Sequence, residues 1–327
     1  MATLPIAQAV NQGLRRALEQ DPKVVLMGQD IGKLGGVFRV TDGLQKDFGP
    51  ARVMDSPLAE SGIVGTAIGM ALYGFRPVVE IQFDGFVFPA FDQIVVQLAR
   101  MRYRSRGALS VPLTIRLPFG GGIGSVEHHS ESPEAYFAGT PGLRVVSPAT
   151  PDDAYWMVQQ AVACDDPVLF LEPKRRYWQK GEVDTIGDVS SRPALDAAVV
   201  RRTGDSCTVL CYGPTVTTCL DAATAAAADG VHLDVVDLRS LAPIDWLTVQ
   251  ASVRRTGRAV VVHEAPRSGG LGAEIGQRIT ETCFYSLEAP VQRVTGWDTP
   301  YPPSRIEDDY LPDVDRVLDA VDRAMGF

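Results

Sequence analysis

The sequence predicts an α/β fold with mainly parallel sheets, and three observations support this. Short apolar runs typical of buried strands alternate along most of the chain with longer runs of helical periodicity. The chain has 327 residues, which at roughly 150 residues per domain predicts about two domains. Hydrophobic residues make up 45% of the chain and charged residues 22%, as in an ordinary globular protein with a sizeable core.

The first half of the chain opens on a predicted helix. Apolar residues recur at every fourth position from Ile6 to Leu18, Thr3 can cap this helix, and Pro5 suits its first turn. Asp21-Pro22 ends the helix, because proline cannot continue it. Further on, the pattern predicts buried strands over 24–27, 77–81, 113–117 and 168–171, and helices over 60–73, 88–104 and 151–164.

The second half alternates more regularly between the two patterns. The predicted strands lie near 207–212, 231–236, 258–263 and 291–295, and the predicted helices near 215–228, 243–254, 270–283 and 312–325. Residues 180–200 show no strong period, and their polarity, glycines and proline suit a linker. We therefore predict a first domain over 1–182, a linker over 183–200 and a second domain over 201–327.

Charge and cysteine content exclude several classes of protein. The chain has 31 lysines and arginines and 40 aspartates and glutamates, which gives a net charge of −9. We therefore expect no nucleic-acid partner and no membrane partner. The five cysteines are irregularly spaced and form no CxxC pair, which indicates reduced thiols in the cytoplasm. The longest apolar stretch, 61–75, is shorter than the ~20 residues that span a bilayer, and no signal peptide is recognisable.

A polar loop followed by a helix rich in small residues is the most informative stretch. Leu58 lies in the loop after a strand predicted to end at Met54, and Glu60 opens the helix. Small residues such as Gly62 and Gly65 would let this helix pack closely against another backbone. The helix dipole favours an acid in the first turn, so Glu60 is compatible with a structural role. The alternative is a catalytic carboxylate, because α/β proteins bind ligands where strands lead into helices.

A glycine-rich stretch, 120–124, precedes two adjacent histidines, His128 and His129. Such a loop can bring backbone amides and an imidazole to a ligand, and it is equally compatible with a mobile surface loop. We predict no metal site here, although Glu127 and Glu131 flank the histidines, because neighbouring loop residues rarely give a defined coordination sphere.

Four phenylalanines lie within 83–91, where a strand leads into a helix. Phe88 and Phe91 suit an ordinary core, and aromatic side chains at a strand end can also wall a flat heteroaromatic ring. The arginines that follow at every second position from Arg100 to Arg106 spread around a helix, as on a solvated or subunit-facing surface. No GxSxG elbow, P-loop or HExxH helix occurs, so a hydrolase, an ATPase and a zincin have no support.

Together these stretches resemble one family, the beta subunit of the thiamine diphosphate-dependent component of 2-oxo acid dehydrogenases, as in the pyruvate and branched-chain complexes. The resemblance covers nearly the whole chain in the family's order, through SPLAESGIVGTAIGMALYGFRPVVEIQF, FPAFDQI, HHSESPEAYFAGTPGLRVVSPATPDDA, PVLFLEPKRRYW, DLRSLAPID, VVVHEAP, GGLGAEI and TGWDTPYPPSR. It implies a transketolase-like architecture, in which a pyrimidine-binding domain with a parallel sheet is followed by a transketolase C-terminal α/β domain.

The resemblance also implies roles for five residues. Glu60 matches the glutamate that hydrogen-bonds a ring nitrogen of the cofactor's aminopyrimidine and so promotes proton removal from the thiazolium carbon. Leu58 matches the residue whose backbone carbonyl accepts from the amino group, and Gln82 and Phe86 match residues lining the pyrimidine. His129 matches the active-site histidine that assists acyl transfer to lipoate.

An absent motif implies a partner. The family's diphosphate and magnesium site needs Gly-Asp-Gly, which does not occur in this chain. The resemblance therefore implies that the chain grips only the pyrimidine end of thiamine diphosphate, and that an alpha subunit holds the diphosphate and magnesium in a tetramer of two alpha and two beta chains. It also implies that the second domain docks on the dihydrolipoyl acyltransferase core. For His263, Glu264 and the glycines that follow, this favours a structural turn over a phosphate-binding turn.

Several alternatives stay open at this point. Segments 173–178 and 129–137 favour a branched-chain 2-oxo acid over pyruvate, although selectivity depends partly on the alpha chain. The predicted activity is oxidative decarboxylation of that acid and reductive acylation of a lipoyl group. Other possible members of the same superfamily are an acetoin dehydrogenase beta subunit and one half of a split transketolase. A non-catalytic module of the same fold would not need Glu60 and His129.

Overall fold

The computed structural model describes all 327 residues, whose strands form two mainly parallel sheets and one two-stranded ribbon. The strands are β1 (Ala2–Pro5), β2 (Val24–Gly28), β3 (Val53–Asp55), β4 (Arg76–Glu80), β5 (Thr114–Phe119), β6 (Arg144–Val146), β7 (Val168–Pro173), β8 (Lys180–Val183), β9 (Val199–Arg202), β10 (Cys207–Cys211), β11 (Leu233–Asp237), β12 (Ser240–Ala242), β13 (Ala259–Pro266) and β14 (Gln292–Gly296).

The α-helices lie between these strands. They are α1 (Ile6–Gln20), α2 (Leu44–Phe48), α3 (Glu60–Leu72), α4 (Met101–Arg104), α5 (Glu134–Ala138), α6 (Pro151–Ala163), α7 (Thr215–Ala228), α8 (Trp246–Thr256), α9 (Leu271–Cys283), α10 (Glu307–Tyr310) and α11 (Val314–Met325). None of them combines the length and the apolar character that crossing a bilayer requires.

The first sheet has seven strands in the order β12-β6-β7-β5-β4-β2-β3, and all of them except β12 run parallel. Helices cover both faces, with α1 and α6 packed together on one face and α3 on the other. A strand covered on both faces buries every side chain, which explains why β5 and β7 are mostly apolar and why their charged residues, Arg116 and Glu172, pair with each other.

The second sheet has the order β14-β13-β10-β11-β9, with β9 as an antiparallel edge strand. Helices α7 and α11 cover one face, and α8 and α9 cover the other. The largest apolar cluster joins 36 buried residues from both halves of the chain, including Val79 of the first sheet and Val261 of the second. The two halves therefore share a core, and the face of the second sheet under α8 and α9 is part of it.

The segment between the sheets is partly ordered as strand. β8 pairs antiparallel with β1, which ties residues 180–183 back to the start of the chain. A short 3-10 turn, Val189–Ser191, follows before β9 begins. β12, from the second half of the chain, joins the first sheet beside β6. The proposed boundaries at 182 and 200 stay a prediction.

The predicted strands and most predicted helices are confirmed to within a few residues. The prediction that Thr3 caps the first helix is wrong. Thr3 lies in β1, where it pairs with Glu182, and it does not cap α1. Pro5 occupies the N-cap position without a side-chain hydrogen bond.

The helix predicted over 88–104 is also wrong as one continuous element. It consists of a 3-10 segment (Asp84–Ala90), a π-helical segment (Asp92–Leu98) and the short helix α4. Pro89 lies inside the 3-10 segment, where it has no N–H to continue an α-helix. The wider π turn is visible at its end, where the Ala99 N–H donates to the carbonyl of Ile94.

Candidate active site

The carboxyl ends of β3, β4, β5 and β7 meet at one edge of the first sheet, because these strands run parallel. The segment after β3 carries Leu58 and Glu60, the segment after β4 carries Gln82 and Phe86, and the segment after β5 carries His129. Open α/β sheets bind ligands in the crevice at this edge. The fold thus brings all five predicted site residues to one edge of the sheet.

Glu60 is the first residue of α3, and it is 8% exposed. The free N–H groups at the start of a helix favour a negative charge there. The carboxylate forms no ion pair and no side-chain hydrogen bond within the chain, so it is available to a ligand. Leu58, two residues earlier, is exposed, and its carbonyl accepts no backbone hydrogen bond. Both groups are free for a ligand that carries a donor.

Aromatic rings form a wall beside this crevice. Phe83 and Phe86 lie edge to face with ring centroids 6.2 Å apart. Phe86 belongs to the 3-10 segment that packs against α3, the helix that Glu60 opens. Gln82 is half-buried next to this wall, and its amide donates to a carboxylate oxygen of Asp30 over 3.1 Å. Aromatic faces and edges of this kind suit contact with a flat ring.

His129 is held in the aromatic wall. Its imidazole stacks on the Phe83 ring, with centroids 4.0 Å apart and planes at 9°, and meets Phe86 edge to face at 5.2 Å. Nδ1 lies 2.9 Å from the carbonyl oxygen of His128. A carbonyl can only accept, so Nδ1 carries the proton in this contact and Nε2 of the neutral ring keeps its lone pair. His128 itself is exposed.

Comparison with known proteins identifies the chain's relatives. The family model for the transketolase pyrimidine-binding domain matches residues 2–179, and that for the transketolase C-terminal domain matches residues 196–317. The pyruvate dehydrogenase E1 component subunit beta of Leifsonia xyli is 58% identical, covering 99% of this chain and 96% of that protein. The 3-methyl-2-oxobutanoate dehydrogenase subunit beta of Mycobacterium tuberculosis is 53% identical, covering 99% and 92%.

The chain belongs to the family of 2-oxo acid dehydrogenase beta subunits. Its fold is also that of a solved split-gene transketolase, described as an inactive beta4 tetramer, with a TM-score of 0.80, 24% identity and coverage of 99% of this chain and 98% of that one. At that identity the likeness concerns the fold alone. The predicted family and the predicted transketolase-like architecture are confirmed.

The glycine-rich loop of this beta subunit is docked on its own second domain. The Gly121 N–H donates to Glu264 over 3.1 Å, and the N–H groups of Gly122 and Gly124 donate to Glu307 over 3.0 and 2.7 Å. A Cβ at Gly121 would lie 1.8 Å from the Tyr301 hydroxyl, so only glycine allows this approach. The loop is therefore attached to the second domain, and its amides are not free to hold a phosphate, because they donate to carboxylates of the same chain.

The turn after β13 in this family member is built as a structural element. Nε2 of His263 accepts the N–H of Gly272 at 3.1 Å, at the start of α9. Burial lowers the pKa of His263 to about 4, so the ring is neutral and can accept this bond. The imidazole occupies the place that an anion would need at the start of the helix. This geometry supports the structural interpretation of the turn.

The arginines after the aromatic segment lie away from the candidate site. Arg100, Arg102, Arg104 and Arg106 line an open groove together with Arg144, at the amino ends of β6 and β7. The site residues lie at the carboxyl ends of the strands. The arginines therefore form no phosphate cradle beside Glu60, and the alternatives of a solvated or subunit-facing surface remain.

Sequence reasoning missed two buried residues that hold the histidine segment, Asp84 and Lys174. Their side chains form an ion pair, and both are fully buried. Burial outweighs the attraction of Lys174 and raises the pKa of Asp84 to about 6, so the carboxyl is ionised at neutral pH. Their positions in the sequence could have indicated the pair, because Lys174 directly follows β7 and Asp84 follows β4, at the same edge of the sheet.

Proposed function

We propose that this beta subunit acts in the oxidative decarboxylation of a branched-chain 2-oxo acid and the reductive acylation of a lipoyl group. In that reaction the carboxylate leaves as carbon dioxide, the acyl carbon is oxidised, and the lipoyl disulfide is reduced as one of its sulfurs takes the acyl group. The observation that carries the proposal is a buried carboxylate without a partner, Glu60, at the start of the helix that packs against the aromatic segment 84–90.

The crevice fits the pyrimidine end of thiamine diphosphate. That ring is flat, and it carries ring nitrogens and an exocyclic amino group. The free carbonyl of Leu58 suits the amino group, Glu60 suits a ring nitrogen, and Gln82 and Phe86 suit the ring itself. The first domain also matches the pyrimidine-binding family model over residues 2–179.

Two residues of this chain handle protons in the proposed reaction. When bound, thiamine diphosphate supplies an electron sink for the bond between the 2-oxo carbon and its carboxylate. Glu60 shares a proton with the pyrimidine nitrogen, in a position that solvent reaches poorly. His129 holds or moves a proton at Nε2, because its Nδ1 is engaged by the His128 carbonyl. We assign His129 to the acyl-transfer step, where a reduced lipoyl sulfur needs a proton.

An alpha subunit completes the site in this proposal. No Gly-Asp-Gly motif for diphosphate and magnesium occurs in the chain. Helix α3, which Glu60 opens, also presents an uncovered face towards its C-terminal end, since a Cβ at Gly69 would meet nothing within 4 Å and Leu72 and Tyr73 are exposed. Glycines on an open helix face allow another backbone to approach closely. We propose that the alpha chain packs there, in a tetramer of two alpha and two beta chains.

The second domain is proposed to dock on the dihydrolipoyl acyltransferase core. Phe284 and Tyr285, just after α9, are 63% and 100% exposed, and the terminal Phe327 is also exposed. Large exposed aromatic side chains are common at protein interfaces. We also place the protein in the cytoplasm, because its five cysteines are all free thiols.

The names of the relatives divide between two substrates. The second candidate is pyruvate, which the name of the 58% identical relative favours, and the name of the 53% identical relative favours the branched-chain acid. The test is carbon dioxide release by the chain reconstituted with its alpha partner, comparing 3-methyl-2-oxobutanoate with pyruvate at matched concentrations. Faster turnover of the branched acid supports the proposal, and faster turnover of pyruvate replaces the substrate without changing the site.

A variant tests the site itself. Glu60→Gln keeps the size of the side chain and removes its ability to share a proton, so decarboxylation should fall by roughly 10²-fold or more. Glu19→Gln is the matched control, since Glu19 is exposed on α1, outside the crevice, and the tetramer should keep its activity. Gel filtration checks that both variants assemble. Near-normal decarboxylation by an assembled Glu60→Gln complex would show that the assignment of Glu60 is wrong.

A further inference from the structure

We propose that Asp84 and Lys174 are positioning residues that set the place and orientation of the His129 ring for acyl transfer. The inference rests on the proposed function of His129. Neither residue belongs to the predicted site, and neither is assigned a contact with the cofactor. Their effect passes through the backbone of the turn that carries the imidazole.

The buried pair holds this turn on both sides of Ser130. The Lys174 ammonium donates to an Asp84 oxygen and also to the carbonyl oxygen of His129. The other Asp84 oxygen accepts the N–H of Glu131. Charge-assisted hydrogen bonds are the stronger class, and here both charged side chains are 0% exposed. The backbone at 129 and 131 is therefore bound to one ion pair.

Two further contacts fix the ring and the turn. A Cβ added at Gly85 would lie 2.2 Å from the carbonyl oxygen of His128, so the turn lies directly against the backbone next to Asp84. The His129 ring stacks on Phe83, the residue before Asp84. Lys174 Nζ also lies 5.8 Å from the centroid of the Phe83 ring. One short stretch, 83–86, thus holds the ring, the turn and the proposed pyrimidine contact Phe86.

The free-energy cost of burying this ion pair favours a role in orienting the turn over a role in merely attaching it to the protein. Two ions buried together lose most of their hydration, and such pairs are often no more stabilising than apolar side chains of similar volume. What the ion pair adds is direction, since its two hydrogen bonds to the backbone, at His129 and Glu131, fix the chain on either side of Ser130. Displacements of about 1 Å can cost roughly 10²-fold in rate.

The test uses the complex reconstituted with its alpha partner, and it separates two partial reactions. Decarboxylation is followed with ferricyanide as electron acceptor, and acyl transfer is followed with a free lipoyl domain. Lys174→Met should lower acyl transfer by roughly tenfold to a hundredfold and change decarboxylation by less than about threefold. In a His129→Ala background the same substitution should change acyl transfer by less than about twofold, because the ring it positions is gone.

The double variant Asp84→Asn/Lys174→Met keeps the test decisive if the unpaired Asp84 prevents Lys174→Met from assembling. It removes both buried charges together, so no unpaired ion is left, and it should give the same selective loss of acyl transfer because the Lys174 contact with the His129 carbonyl is gone. A loss that is additive with His129→Ala, or equal losses in both partial reactions, would overturn the inference. Full acyl transfer by His129→Ala itself would instead overturn the proposed role of His129, so the two failures are distinguishable.

A spectroscopic readout does not depend on turnover. The chain has four histidines, so ε1-carbon labelling gives few signals in the assembled complex. The His129 signal carries the ring-current shift of Phe83, and Phe83→Leu identifies it by removing that shift. Lys174→Met should move the His129 signal and leave the signal of the buried His263 in place. An unmoved His129 signal in an assembled Lys174→Met complex would overturn the inference.

Discussion

The free energy of unfolding of the chain should depend on pH partly through Glu134, and replacing Glu134 by glutamine should remove that contribution. Glu134 opens α5 and is completely buried where the two domains meet. One of its oxygens accepts from the Tyr212 hydroxyl over 2.7 Å, and the other has no partner. Burial is the main cause that raises its pKa from 4.5 to about 7, against the opposing effect of the Tyr212 hydrogen bond.

The sign follows from proton binding in the two states. Between about pH 4.5 and pH 7 the folded chain keeps the Glu134 proton, whereas the unfolded chain has lost it. Stability from this group is therefore complete below pH 4.5 and falls as the pH rises to 7. With pKa values of 4.5 and about 7, linkage gives a loss of about 2–3 kcal/mol in the free energy of unfolding between pH 5 and pH 8.

Glutamine imitates the neutral carboxyl at every pH, because its carbonyl oxygen can still accept from Tyr212. Urea unfolding followed by tryptophan fluorescence at pH 5, 6, 7 and 8 gives the free energy of unfolding for the wild type and for Glu134→Gln. Between pH 5 and pH 8 the free energy of unfolding of the variant should rise relative to that of the wild type by about 2–3 kcal/mol. Glu19→Gln, an exposed change on α1, should follow the wild type. A constant difference between Glu134→Gln and the wild type would refute the reasoning.

Two further predictions concern the cofactor and the core of the sheet. The chain alone should bind thiamine diphosphate weakly or not at all, and tight, magnesium-dependent binding by calorimetry without an alpha chain would contradict the proposed division of the site. Arg116→Met should lower the free energy of unfolding by about 3–5 kcal/mol, because Arg116 is 2% exposed and pairs with Glu80 and Glu172 at 2.6 Å each. Urea unfolding measures this loss, and a loss below about 1 kcal/mol would show that the two carboxylates find other partners.

Much of the fold follows from patterns that the sequence carries locally. The central strands β5 and β7 are buried on both faces, so most of their residues are apolar, and the helix over 215–228 has the bounds that its periodicity predicts. The prediction failed where a long-range partner or a single residue overrides the pattern. Thr3 joins a strand whose partner lies about 180 residues later, and Pro89 breaks an otherwise helical apolar pattern.

The candidate site was predictable to a different degree at each residue. Glu60 and His129 stood out because of their place beside predicted strand ends, and family resemblance supplied their roles. Asp84 and Lys174 did not stand out, since they are 90 residues apart and nothing local marks them as partners. The same holds for the glycine loop, whose contacts with Glu264 and Glu307 span more than 140 residues. Only the fold brings such residues together, so the local sequence around each of them does not indicate its partner.

The donors at this edge of the sheet support the proposal that the chain holds only the pyrimidine end of the cofactor. A diphosphate needs backbone N–H groups and cations. The amides of Gly121, Gly122 and Gly124 already donate to carboxylates of the second domain.

The cations after β7 are also engaged. Lys174 is paired with Asp84, Arg175 pairs with Glu264 at 2.7 Å, and Arg176 donates to the Pro214 carbonyl. The segment from Gly120 to Pro133 contains no lysine or arginine. The groups that remain without a partner at this edge of the sheet are the Glu60 carboxylate and the Leu58 carbonyl. Both suit a heteroaromatic ring with nitrogen donors, and both repel a diphosphate. The charge distribution thus supports the proposal that another chain holds the diphosphate.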